Sequence, residues 1–158
     1  MKLFSIVAAA ALTASLASAQ TIRAGTFDKP SIVVAFYGSP QWADTLKAKR
    51  AELEAAKKAN DTQKAKDLEA WGGVQQELAH RQLEGDATIA NILAALAPQL
   101  PDVARKAGVV LIAPDLPYAD RSVQTVDITD LLLDCLHANQ RTRDIVRDLQ
   151  KQEKPAGR

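Results

Sequence analysis

Residues 108–136 constrain the fold of this chain more than any other stretch. Residues 109–113 form a short apolar run, rich in β-branched side chains, which is typical of a buried strand. Residues 123–128 alternate in polarity, as a half-buried strand does, and Thr129 is placed to cap a helix that starts at Asp130. Two strands and a helix cannot bury both faces of a sheet by themselves, so we expect a third strand. Residues 31–36 (SIVVAF) are the best candidate for it.

The chain between these strands is predicted to be mostly helical. Residues 41–59 and 62–83 are rich in Ala, Leu, Lys and Glu, and Asn60 and Asp61 form a turn between them. Near-heptad apolar spacing indicates a thin coiled-coil seam in the first helix. Gly72 and Gly73 interrupt the second helix and are read as a flexible point or a close-packing site. The predicted fold class is therefore α+β: a small β base, with a projecting antiparallel helical hairpin at about residues 40–84.

The two ends of the chain look different from the predicted domain. Lys2, the apolar residues 3–16 and the small residues Ala17 and Ala19 match a cleaved secretory signal peptide over residues 1–19. The apolar run is shorter than the roughly 20 residues of a spanning helix. We therefore expect an exported, periplasmic protein, with a single domain over residues 20–150 and a polar, disordered tail over residues 151–158.

The charge balance excludes some partners. Loss of residues 1–19 removes one Lys and lowers the formal net charge from +1 to zero. Binding to nucleic acid requires a clear basic excess, so nucleic acid is not expected as a partner, and membrane contact is at most peripheral. The single cysteine, Cys135, cannot form an internal disulfide; it is read as a small buried hydrophobe or, less favoured, as an intermolecular disulfide partner.

A search for catalytic chemistry finds no catalytic residue, no metal site and no cofactor site. His80 and His137 fall on different predicted helices, without metal-ligand spacing. The acidic residues near the second strand are read as helix caps and surface groups; they are Asp115, Asp120, Asp127, Asp130 and Asp134. A small periplasmic hydrolase that uses His80 or His137 stays as a remote alternative.

The C-terminal block resembles the Skp/OmpH family of periplasmic chaperone-like proteins. The resemblance rests on the signal sequence, the SIVVAF run, the charged helical segment, the Tyr118-Ala119-Asp120 loop and the Val126-to-Thr129 junction. It implies a homotrimer with a β base, whose helical arms hold unfolded outer-membrane proteins without ATP. An oligomeric envelope scaffold or adaptor that binds one folded partner is the alternative function.

Two groups of candidate residues follow from this interpretation. The first is a base and oligomer core: Ile32, Val34, Phe36, Val110, Ile112, Val126, Ile128 and Leu132. The second is a client-contact surface on the arm: Leu53, Leu68, Trp71 and Val74.

Overall fold

A computed structural model describes residues 21–153 of the chain. These residues form seven helices and one small, three-stranded parallel sheet. In chain order the elements are β1 (Ile22–Thr26), α1 (Lys29–Tyr37), α2 (Pro40–Lys58), α3 (Thr62–Glu84), α4 (Ala90–Leu96), α5 (Leu100–Ala107), β2 (Leu111–Ala113), β3 (Val123–Asp127), α6 (Thr129–Cys135) and α7 (Gln140–Glu153). The predicted signal peptide and residues 154–158 of the predicted tail lie outside the described residues. Residues 151–153, also assigned to that tail by the sequence, are the last residues of α7.

The sheet brings the N-terminal strand of the described chain together with two strands from its C-terminal half. Its strand order is β2-β1-β3, and β1 pairs in parallel with both neighbours. Ala24 in the centre of β1 is in register with Leu111 on one side and with Thr125 on the other. Strands β2 and β3 thus both pair with the N-terminal strand β1, and helices α1 to α5 lie between β1 and β2 in the sequence.

The strand predicted at residues 31–36 is wrong. These residues lie within helix α1, and the N-terminal strand is Ile22–Thr26 instead. The Asp28 carboxylate accepts a hydrogen bond from the Ser31 backbone N–H, and Pro30 stands in the first turn, where its fixed φ suits a helix. A short apolar run bounded by turn residues fits a buried helix as well as a buried strand. The cap and the proline decide in favour of the helix.

The sequence of β1 is weakly apolar for a central strand, and Gly25 explains how it packs. A methyl group added at Gly25 would stand 3.1–3.2 Å from side-chain atoms of Ile128 and Val109. The missing side chain therefore lets these two residues close over the strand. Ile128 is 1% exposed, and its contact with β1 couples the sheet to the start of α6.

The hydrophobic core lies around α1. It draws on α1, α4, α6 and α7, and its most completely buried apolar side chains are Ile32, Ala35, Ile92 and Leu132. Helix α1 is apolar on all sides because it contacts α2, α3, α6 and α7. None of the helices among the described residues is long and apolar enough to cross a membrane.

Helices α2 and α3 form a helical hairpin. Asp61 caps α3 by accepting a hydrogen bond from the Lys64 N–H, and Asn60 adopts a positive φ of 56° in the turn. An ion pair of 3.0 Å between Lys57 and Glu69 joins the helices near that turn. Each helix has one fully buried residue, Ala56 in α2 and Gln82 in α3. The rest of the hairpin is half-buried or exposed.

Candidate functional site

The root of the hairpin is an aromatic cluster. The Tyr37 ring lies edge-on to Phe36 and to Trp42, with ring centroids 5.2 Å and 5.0 Å apart. Trp42 continues the cluster to Trp71, at a centroid distance of 6.1 Å. Edge-to-face aromatic pairs of this kind contribute about 0.5–1.5 kcal/mol beyond the area they bury. The cluster therefore connects α1 in the core with both helices of the hairpin.

A buried glutamine side chain holds the C-terminal end of α3 in place. Gln82 has no exposed surface; its Oε1 accepts a hydrogen bond of 2.9 Å from the Tyr37 hydroxyl. Its Nε2 donates to the Thr88 carbonyl and to Asn91 Oδ1, each at 2.6 Å. Burial raises the pKa of the Tyr37 hydroxyl above its ordinary value. The hairpin thus joins α1 and α4 through satisfied polar groups.

Further along, α2 and α3 enclose a shallow cleft with a volume of about 290 Å³, which we name the hairpin cleft. Apolar and charged side chains mix in its lining, which consists of Leu46, Lys49, Arg50, Leu53, Leu68, Glu69, Trp71 and Gly72. The Lys49 ammonium lies 6.0 Å from the centre of the Trp71 ring and also pairs with Glu52 at 2.9 Å. The cleft therefore has an apolar floor and a charged rim.

Three of the four predicted arm residues line this cleft. They are Leu53, Leu68 and Trp71, all half-buried. Val74 is 61% exposed and lies outside the lining. Leu46 and Lys49 were not among the predicted contact residues, although Leu46 belongs to the same near-heptad series as Leu53 and could have been found from it.

The glycine pair does not interrupt α3. The helix runs unbroken from Thr62 to Glu84, and a methyl group at Gly72 or Gly73 would meet no atom within 4 Å. The reading of the pair as a close-packing site within one chain is therefore wrong. Each glycine destabilises a helix interior by about 1 kcal/mol relative to Ala, and no contact within the described residues offsets this.

The predicted base residues separate into three groups. Ile32, Phe36, Ile128 and Leu132 are buried in the core of the single chain, whereas Val34, Ile112 and Val126 are partly buried against that core. Val110 is 80% exposed and lies outside the core of the single chain. It precedes β2, which has a single neighbouring strand among residues 21–153, and the β-branched pattern of residues 109–113 does not indicate this edge position.

A second apolar concavity lies beside that edge, and we name it the β2-edge groove. Its volume is about 310 Å³, and it is lined by Ala97, Leu100, Pro101, Ala104, Val110, Leu111 and Ile112. Leu111 is 51% exposed. No charged residue lines this groove, which distinguishes it from the hairpin cleft. Sequence reasoning did not find the groove, because its two walls are α5 and β2, whose apposition depends on the fold.

The titratable residues do not converge on a reaction centre within residues 21–151. His80 is exposed on α3, and His137 is exposed just after α6, with a positive φ of 53°. Burial raises the pKa of the Cys135 thiol; Lys106 acts in the opposite direction, and the carboxylates of Asp134 and Asp102 add to the increase. No three potential metal-ligating side chains among the described residues lie close enough to share an ion.

The polar cleft between α6 and α7 is larger, at about 420 Å³, and its lining has two acidic residues, Asp127 and Asp130, and two basic ones, Arg143 and Arg147. Arg143 forms a salt bridge with Asp134 and approaches Asp130 to 3.7 Å. Arg147 pairs with Asp144 on the same helix. The cleft therefore presents internally neutralised charges and not a field of one sign.

No family model, curated protein or solved structure matches this chain. The likeness to the Skp/OmpH family thus rests on the sequence motifs alone.

Proposed function

We propose that this protein is an ATP-independent periplasmic holdase, whose α2–α3 hairpin projects as an arm from the β base and binds unfolded outer-membrane proteins. The observation that carries the proposal is the exposure of the hairpin. Its two helices are the longest of the described residues, yet each has a single fully buried residue. Helices that contribute so little to the core are explained best by a surface that they offer to a partner.

The chemistry of the hairpin cleft suits a transient and unselective partner. Leu53, Leu68 and Trp71 provide apolar contact area, while Lys49, Arg50 and Glu69 add charged groups to the lining. A shallow apolar surface with charged edges binds many sequences weakly. Unfolded β-barrel chains offer alternating apolar and polar side chains and many aromatic residues, which match an apolar floor within a charged rim.

The proposal includes self-association, with a homotrimer as the expected assembly, and export to the periplasm. One hairpin cleft is small compared with an unfolded chain. Several arms on one base bind such a chain with a higher effective concentration than separate arms do. The small core of the single chain also gains stability from association.

The direct test is suppression of aggregation. An outer-membrane β-barrel protein is diluted from urea into buffer that contains the mature chain, and light scattering is recorded. We expect the parent to suppress scattering of several unrelated barrel proteins. The double variant Leu53→Gln/Leu68→Gln should bind them about tenfold more weakly, because a loss of 1.4 kcal/mol of contact energy corresponds to that factor.

The matched control is Ile145→Gln, which changes a 44% exposed apolar residue on α7, outside the hairpin. It should retain the activity of the parent. Capture of one folded partner, without suppression of aggregation, would favour the scaffold or adaptor instead. A hydrolytic activity lost in His80→Ala or His137→Ala would favour the remote catalytic alternative.

A further inference from the structure

The two faces of the parallel sheet differ in what lies against them. Residues that are in register across parallel strands share a face, and successive residues of a strand alternate between faces. Gly25 of β1 and its partner Ile112 face the core. The preceding residue, Ala24, is in register with Leu111 and Thr125 on the opposite face. Leu111 is 51% exposed and Thr125 is exposed as well, so residues 21–153 leave this face open.

The open face is apolar near the start of β1. Ile22 precedes Ala24 by two residues, so it shares that face; it is 55% exposed, and its partner Val123 is half-buried. Parallel sheets normally have both faces covered, and we therefore expect a cover here too. We name this surface the open sheet face; its uncharged residues are Ile22, Ala24, Leu111, Val123 and Thr125.

The chain that precedes β1 is placed to provide this cover. Residues 1–20 lie outside the described residues and lead directly into Thr21, at the start of the central strand. Eleven of the fourteen residues 3–16 are apolar, and none is charged. Residues 17–20 can reach up to about 13 Å, whereas neighbouring strands lie about 4.8 Å apart. Residues 3–16 can therefore reach all three strands.

The other part of the sequence outside the description does not match the open sheet face. Residues 154–158 carry two charges, on Lys154 and Arg158, and have a single apolar residue. They follow α7, which contacts α1 in the core. Their chemistry suits water, so the N-terminal segment is the better occupant.

We propose that, in the chain that retains its N-terminus, residues 3–16 pack on the open sheet face and cover it until residues 1–19 are removed. A segment joined to the central strand has a local concentration of about the millimolar range, so a modest apolar contact keeps it bound. Neither surface has a charge to desolvate. Cleavage exposes the face, so it becomes available only after export. The inference goes beyond the proposed function and does not depend on holdase activity.

The experiment measures how fast iodoacetamide alkylates one introduced cysteine, in the Cys135→Ser background. Leu111→Cys and Thr125→Cys report on the open sheet face, on two different strands. Gln124→Cys is the matched control, because this exposed residue precedes Thr125 on β3 and points to the opposite side. Each variant is prepared with and without residues 1–19, and circular dichroism verifies that both forms are folded.

We expect Leu111→Cys and Thr125→Cys to react about tenfold more slowly when residues 1–19 are present, because a face covered in nine of ten molecules leaves one in ten reactive. The slower rate should not change on dilution, since the cover belongs to the same molecule. Gln124→Cys should react equally fast in both forms. The added change Ile6→Asp/Val7→Asp should restore the faster rate without shortening the chain.

Three outcomes overturn the inference. Equal rates with and without residues 1–19 mean that the segment does not cover the face. Protection that disappears on dilution assigns the cover to a second copy, and protection that requires an added unfolded barrel protein assigns it to a client. Suppression of aggregation is not a readout of this experiment, so failure of the proposed function and failure of this inference are distinguishable.

Discussion

The base and the hairpin of this molecule are helical for different reasons. In the base, α1 and α6 are short and are held by burial: Ile32 and Leu132 have no exposed surface. In the hairpin, α2 and α3 are long and almost unburied, and they depend on helix-forming composition and on the caps at Ser39 and Asp61. The base therefore determines the fold, whereas the hairpin leaves much of its surface exposed to solvent.

The comparison is tested most strongly by removing one leucine from each region. Leu132→Ala leaves a cavity in the core, and we expect the free energy of unfolding to fall by about 2–5 kcal/mol. Leu53→Ala, in the hairpin cleft, should lower it by about 1 kcal/mol, since the Leu53 side chain is only half-buried and part of its surface already contacts water. Urea unfolding of both variants measures the difference. Equal losses would show that the hairpin is part of the core.

The second test acts where the two regions join. Gln82→Ala removes the acceptor of the Tyr37 hydroxyl and the donor to Thr88 and Asn91. Partly buried polar groups left unpaired destabilise a protein by about 1–3 kcal/mol, and hydrogen exchange should become faster at the end of α3. The control is Gln76→Ala, which changes an exposed residue of the same helix and should alter neither quantity. No change for Gln82→Ala would mean that the aromatic cluster alone joins the regions.

The same contrast explains what the sequence could and could not predict. The hairpin was predictable, with ends close to the observed ones, because caps and composition are local signals: Asp61 accepts from the Lys64 N–H as its position suggests. The later strands were predictable as well, since β-branched runs with polar boundaries identify them. Both depend on residues that are neighbours in the chain.

The base was predicted less well, because its elements depend on distant partners. Residues 31–36 fit a strand or a helix by their apolar pattern; the Asp28 cap and Pro30 favour the helix, and contacts with α6 and α7 bury it. The weakly apolar β1 becomes a central strand only because Gly25 lets Ile128 and Val109 approach. Thr129 was predicted to cap α6; instead its N–H donates to Asp127 and its hydroxyl accepts from the Asp28 N–H, 101 residues away in sequence. Contacts between residues so far apart in the chain produce no periodic pattern in the sequence from which they could be predicted.

A smaller effect, of opposite sign, is expected from the glycine pair. Gly72→Ala and Gly73→Ala place methyl groups in open space on a regular helix. Each should raise the free energy of unfolding by about 0.4–1 kcal/mol, because Ala loses less backbone entropy on folding. Urea unfolding and hydrogen exchange in α3 measure this. A loss of stability would show that the glycine pair makes a packing contact. The hairpin would then depend on packing as the base does.

The smallest effect concerns the alkylation rate of a thiol, compared between Cys135 in the base and a cysteine introduced into the hairpin. Burial raises the pKa of Cys135 in the base, so less thiolate is present at a given pH and alkylation is slower. We expect iodoacetamide at pH 8 to modify Cys135 more slowly than the cysteine of the double variant Ala55→Cys/Cys135→Ser, whose residue 55 is exposed on α2. The two rates should become equal in concentrated urea, where burial is lost. The raised pKa of Cys135 also predicts how the free energy of unfolding depends on pH. Because the thiol is harder to ionise in the folded chain, its contribution to stability is complete below the pKa of the unfolded thiol and decreases as the pH rises above it. Equal rates in the folded proteins would show that the α6 side of the base is as open to solvent as the hairpin.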